Sequence, residues 1–279
     1  LPIIEVSPRD IRAIIQTVTA SGRPSIANDV LMYSKQLFRH GIKLDLLNSN
    51  PAEAFTTTDA GGVEKSRERQ LSIEELAKAF RVFRESKDRF TRDNYLACAL
   101  LVTLGVRKAE LIGATWSEFD LDKRLWHLPA GRSKTGAPIS IPLPEPVILW
   151  LDELNVRGFG SDYLLPNRRA TKRSPHISPD TLNHAIAKLC GKKVDAKKQP
   201  LPDLMGAAGI EEFTPHDLRR TCRSLMAATG IPGHVAERCL NHKLKGVEGI
   251  YDRYDYLEER RAALHKIANL IAPLVNQHT

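Results

Sequence analysis

The sequence predicts a mainly α-helical fold with one small antiparallel β-sheet, an α+β arrangement, and three observations predict it. Capped stretches with apolar residues every three or four positions recur along most of the 279-residue chain. Residues 92 to 104 turn nearly all apolar in their second half (Tyr95, Leu96, Cys98 through Val102), which marks a helix buried on every side at the centre of a large domain. Strand-like patterning appears between Trp116 and Leu143, as Leu125-Trp126-His127-Leu128 and Ile139-Ser140-Ile141-Pro142-Leu143, with a turn at Leu121 to Arg124.

Taken in order, Ser7-Pro8-Arg9-Asp10 opens a helix with Ile11, Ile14, Ile15 and Val18 on one face and Gly22 at its end. Pro24 and Ser25 start a second, presenting Ile26, Val30, Leu37 and Phe38 and closing at Gly41. Two helices cannot bury both faces alone, so the pair is expected to pack against further helices or a partner. Asn48 to Arg69 has no periodicity and reads as a linker, with domains expected at 1–55 and 69–279 around residues 56–68. Ser72-Ile73-Glu74-Glu75 is a capping box for a helix through Leu76, Ala79, Phe80 and Phe83. After the buried helix, Gly105 is followed by Arg107, with Glu110 placed to orient its guanidinium. The loop between the strands, Pro129 to Gly136, is polar and basic and carries Arg132 and Lys134. Helices follow from Pro144 to Leu154 and from Ser178-Pro179. Between them lies the basic run Asn167-Arg168-Arg169-Ala170-Thr171-Lys172-Arg173, and Lys192, Lys193, Lys197 and Lys198 make a second cluster.

The net charge of +8 and pI near 9.3 favour a polyanionic partner. Residues 1 to 68 hold eight basic and eight acidic side chains, so the whole excess lies after residue 68. No apolar run is long enough to span a bilayer, and the first residues lack the basic-then-apolar layout of a signal peptide; the expectation is a soluble, cytoplasmic protein without membrane contact. Cys98, Cys190, Cys222 and Cys239 show no metal-binding spacing and read as free thiols, mostly buried.

The chemistry concentrates between Phe213 and Tyr256. Thr214 caps a helix that Pro215 begins and Gly230 stops, and His216, Arg219, Arg220 and Arg223 recur on it at three- and four-residue spacings. A second short helix, from Pro232 to Leu240, delivers His242, and Tyr251 follows nine residues later. Guanidinium groups grip phosphate with two parallel N–H bonds and keep their charge at working pH. A phenol is a weak nucleophile until a cationic pocket stabilises its anion and the transition state. The set therefore reads as covalent attack by a tyrosine on a phosphodiester, with Lys134 as a phosphate contact or general acid. Arg132, Arg168, Arg169, Lys172, Arg173 and Arg220 are candidate contacts to DNA phosphates.

Gly105-x-Arg107-x-x-Glu110-Leu111, Lys134-x4-Ile139-x-Ile141-Pro142-Leu143, His216-x-Leu218-Arg219-Arg220-Thr221, Leu240-x-His242 and Tyr251 occur in an order and spacing that resembles the tyrosine recombinase, or phage integrase, family, over roughly residues 69 to 272. The run from Leu240 to Tyr256 is similar to integrases of prophages and genomic islands, and residues 1 to 55 resemble the last part of the helical core-site-binding domain. The resemblance implies a bacterial, nucleoid-associated site-specific DNA recombinase that integrates or excises a mobile element, needing no metal or cofactor. It implies catalytic roles for Arg107, Lys134, His216, Arg219, His242 and the nucleophile Tyr251, with Glu110 supporting. Its partners would be double-stranded attachment sites, a homotetramer on DNA assembled from monomers through the C-terminal helix (Leu257, Leu264, Ile267, Ile271, Leu274), and DNA-bending or directionality proteins. A type IB topoisomerase, or a catalytically silent DNA-binding accessory factor, stands as the alternative. Where many members of the family have Leu-Gly-His, this chain has Leu240-Asn241-His242.

Overall fold

A computed structural model of the chain describes all residues except 65–67, 169–173, 193, 195–198, 200, 243–253 and 278–279. The chain divides into two compact units, Leu1–Glu68 and Arg69–Thr279.

In the first unit, helices α1 (Pro8–Ala20) and α2 (Pro24–Lys43) pack on each other. Ser7 and Asp10 form the capping box that starts α1. The buried apolar side chains are Ile11, Ile15, Ala27, Leu31 and Phe38, whereas Ile14, Ile26 and Leu37, expected on the apolar faces, are exposed. Helix α2 also runs past Gly41, which is itself buried against Leu47. The stretch after Asn48 is not an open linker. Ala52, Phe55 and Ala60 fill the space between α1 and α2, and Asn28 ties the chain there by donating to the Gly62 carbonyl and accepting from the Gly61 amide, both at 2.9 Å. Irregular spacing hid these three apolar residues from any periodic pattern.

The second unit is built around α4 (Arg92–Leu104), in which every residue from Asn94 to Leu104 is buried. Helix α3 (Ile73–Glu85) begins at the Ser72–Glu75 capping box and brings Phe80 and Phe83 against Tyr95 and Phe90. Burying a Leu, Val or Phe completely is worth roughly 1.5–3 kcal/mol, so α4 dominates the stability of this unit. After it come a short helix, α5 (Lys108–Ile112), and a three-stranded antiparallel sheet of β1 (Phe119–Asp120), β2 (Leu125–Leu128) and β3 (Ile139–Pro142). Trp126 pairs with Ile141 and Leu128 with Ile139, which turns these apolar side chains to one face. The remaining helices are α6 (Glu145–Arg157), α7 (Thr181–Leu189), α8 (Leu204–Ala207), α9 (Pro215–Ala228), α10 (Gly233–Cys239) and α11 (Leu257–Val275). Helix α7 has Asp180 as its N-cap rather than Ser178, whose hydroxyl instead accepts from the Asp180 amide.

Helix α11 docks on its own unit, against α4, α10, β3 and α6, burying Ala263, Leu264, Ile267, Ala268 and Ile271. Arg260, 1% exposed, fastens it by donating to the carbonyls of Ser140 (2.7 Å) and Asp255 (2.9 Å) and pairing with the Asp255 carboxylate (2.6 Å). Cys98, Cys222 and Cys239 are buried free thiols and Cys190 is half-buried; burial pushes the thiol pKa of each upward. Among the described residues no helix is long and apolar enough to cross a membrane.

Gly105 ends α4 with φ at +63°, and a Cβ built there would lie 2.6 Å from Leu240 and 3.0 Å from the Cys222 sulfur. Gly105→Ala is expected to destabilise the chain by about 2–4 kcal/mol, the sum of left-handed strain and overpacking. The loss would be read from the midpoint of denaturant unfolding, and an unchanged midpoint would show that the turn relaxes freely.

Candidate active site

Four segments of the second unit converge: the turn after α4, the β2–β3 hairpin, the first turns of α9 and the turn after α10. Arg107 is the N-cap residue of α5, where its amide donates to Glu110 (3.0 Å) while its guanidinium pairs with the same carboxylate (3.0 Å). Glu110 is 3% exposed and accepts in addition from the Lys134 amide (3.3 Å), so one buried carboxylate orients the arginine and the lysine's hairpin together. Lys134 itself is exposed.

Helix α9 starts at Thr214, held by reciprocal bonds with Asp217. This sets His216 and Arg219 one turn apart, with Arg219 reaching Gly105 and Leu240. Arg219 is 4% exposed and donates to the carbonyls of Gly105 and Leu240 (the latter at 2.5 Å) and to the His242 Nε2 (2.8 Å). A guanidinium carries five N–H groups, so Nε–H and one proton of Nη1 are left over for a ligand's oxygens. Burial and the neighbouring Arg107 cation pull the Arg219 pKa down to about 10, still well above neutrality. His216 presents an open edge; burial of the rest of its ring, with the cations of Arg220, Arg219 and Lys134, holds it below the ordinary imidazole value.

His242 follows α10 through Asn241, whose φ of +50° is one that asparagine tolerates better than most residues. The left-handed turn is thus one that either Gly or Asn can make. The Asn241 side chain also donates to the Ser133 hydroxyl (2.9 Å), joining this turn to the lysine's hairpin. His242 Nδ1 lies 2.5 Å from Glu237, which Arg223 holds from the other side at 2.8 Å. Burial alone would raise the Glu237 pKa, but the bonds from Arg223 and His242 bring it below the usual carboxylate value.

The DNA-contact candidates fare differently. Arg132 is a fastener: it pairs with both oxygens of Glu118 (2.5 and 2.7 Å) and donates to the Glu110 carbonyl, and Glu118 also holds Trp126. Arg220 pairs with buried Asp217 and stays half-exposed beside His216. Arg168 pairs with Asp93 at the start of α4, roughly 20 Å of helix away from Arg107 at its end. Tyr251, Arg169, Lys172 and Arg173 lie outside the described residues, as do Lys193, Lys197 and Lys198. Sequence reasoning missed Glu237, Asn241 as a hairpin tie, and a cleft of about 490 Å³ beside His216, lined among others by Lys108, Asn183, His184 and Lys192.

The model of the phage integrase family matches residues 69–258, the greater part of the chain, and takes in all four segments. The chain belongs to the phage integrase family. It is 27% identical to prophage integrase IntA of Escherichia coli K12 over 59% of its own length and 35% of that protein's. It is 28% identical to the integrase of Enterobacteria phage P4 over 89% of its length and 55% of the relative's. This integrase-family chain thus spans between 35% and 66% of the length of the curated relatives it matches. Its fold is that of lambda integrase residues 75–356, solved as a dimer bound to a COC' core site (TM-score 0.63, 21% identity, 87% of this chain and 81% of that one). The Tn1549 transposon integrase, solved with circular intermediate DNA, is similar over 94% of this chain and 86% of that one (TM-score 0.58, 17% identity).

The His216 ring should titrate below the ordinary value of about 6.5. Arg220→Ala should raise its midpoint by removing a cation, without full recovery because burial is the larger cause. Proton NMR of the imidazole across pH tests this; a midpoint at or above 6.5 in the unmodified chain would contradict it.

Proposed function

We propose that this chain cuts and rejoins duplex DNA at specific sites, integrating or excising a mobile element through a 3′-phosphotyrosine intermediate. The observation that carries the reading is the convergence of Arg107 and Arg219, each oriented from behind by buried acceptors, with His216, His242 and the Lys134 hairpin at the same hollow. Arg107 and Arg219 clamp the non-bridging oxygens of the scissile phosphate, where negative charge builds in the five-coordinate transition state. The Tyr251 oxygen attacks phosphorus, its proton leaves toward an imidazole, and the 5′ oxygen departs with a proton from Lys134. One P–O bond forms as another breaks, so rejoining to a new 5′-hydroxyl is the same displacement in reverse and needs no external energy.

The cleft beside His216 and the half-exposed Arg220 extend this positive surface for flanking phosphates. On the family reading, protomers assemble as a tetramer on paired attachment sites, with DNA-bending or directionality proteins as further partners, and the first unit grips the core site.

The test uses nicked suicide duplexes with a randomised core, from which the protein selects its own site by becoming covalently attached. The adduct peptide should contain Tyr251. Tyr251→Phe should abolish adducts, Tyr254→Phe should keep them, and Lys134→Ala should slow their formation by about 10²-fold or more. Recovery of an adduct at Tyr254 would reassign the nucleophile, and no adduct from any sequence would remove the recombinase reading.

A further inference from the structure

Glu237 lies on α10 and has no part in the roles assigned above, yet it makes the shortest polar contact to His242. The His242 ring is held at both nitrogens. Nε2 is 2.8 Å from Arg219 Nη2 and Nδ1 is 2.5 Å from Glu237 Oε2. A guanidinium can only donate, so Nε2 must accept, and the ring proton therefore sits on Nδ1, where the carboxylate receives it. The other carboxylate oxygen accepts from Arg223 Nε at 2.8 Å, which prevents Glu237 from rotating away. Among the described residues, the charged groups facing the ring are Glu237 from α10 and Arg219 from α9, with Arg223 of α9 behind Glu237 and Arg107 beyond Arg219. On the hairpin side the tie is neutral, Asn241 to Ser133.

We propose that Glu237 is a positioning residue for the phosphoryl-transfer site: it fixes His242 with its proton on Nδ1, so that the Nε2 lone pair faces the phosphate-binding arginine. This rests on the recombinase reading. In the resting state the Nε2 lone pair is occupied by Arg219. When a phosphate oxygen, besides engaging the unused Arg219 protons, also takes the Nη2 proton now given to the ring, that lone pair becomes free to receive the phenol proton, and the resulting imidazolium is stabilised by Glu237. The proton moves from the tyrosine oxygen to Nε2 and no further group is consumed.

Two measurements test this. In single-turnover adduct formation on the selected suicide duplex, Glu237→Gln keeps the side-chain shape but loses the charge. It should lower the plateau rate by about 10- to 100-fold. It should also move the acid limb of the pH profile to lower pH, since an imidazole without a neighbouring anion protonates less readily. A merely structural role would lower thermal stability and leave the position of that limb where it was, which would overturn the proposal. If Glu237→Gln fails to fold, the unmodified protein decides: long-range proton–nitrogen NMR of His242, assigned by its loss in His242→Gln, should show the Nδ1-protonated ring, and an Nε2-protonated ring overturns it. The two readings fail separately. Absence of adducts with the unmodified protein counts against recombination itself, whereas adducts with an unchanged Glu237→Gln profile count against this inference alone.

Discussion

Arg219 reaches two pieces of chain that the sequence keeps far apart: the carbonyl ending α4, and the turn after α10, where it meets both the Leu240 carbonyl and the ring of His242. Burying a guanidinium is tolerable only when its N–H groups are met, and here backbone oxygens meet them without neutralising the charge. The cation is therefore built in when the unit folds and is still a cation when a phosphate arrives. Fixed in this way, it loses little entropy and little solvent reorganisation at the moment of reaction, which is how a preorganised site outperforms the same groups in water. Arg107 adds a second positive charge alongside, and the buried Glu110 makes their proximity bearable.

The segments that converge here owe their places to the core. Helix α4 ends where it does because Gly105 takes a left-handed turn that a side chain would obstruct, and that turn turns its carbonyl toward Arg219. Helix α9 is pinned through the Thr221 hydroxyl, which accepts from the Leu71 amide at 2.9 Å. The hairpin is pinned by Arg132 on Glu118. These contacts decide the geometry of side chains they never touch.

Much of this was legible in the sequence where the determinants are local. Capping boxes at Ser7, Ser72 and Thr214 announce helices by their own spacing, and Arg107 with Glu110 is visible as a pair because three residues apart on a helix means adjacent. Arg132 looked like a free loop cation because its partner, Glu118, is fourteen residues away and meets it only across the sheet. Glu237 was invisible for a different reason. Five residues is not a neighbour spacing on a helix, and the contact with His242 exists only because α10 stops at Cys239 and the chain reverses through Asn241. In the first unit, Ala52, Phe55 and Ala60 read as linker because their burial depends on where α1 and α2 leave room.

Arg260 lies under the hairpin as well as under the last helix, since Ser140 belongs to the strand into which the lysine's loop descends. Cutting the chain before this residue would do more than remove a tail. It would strip the donor from a carbonyl at the foot of the loop and from the Asp255 carboxylate, and open a hole where one of the largest fully enclosed side chains had been. Shortened versions of the protein would thus register the loss at a lysine more than a hundred residues upstream.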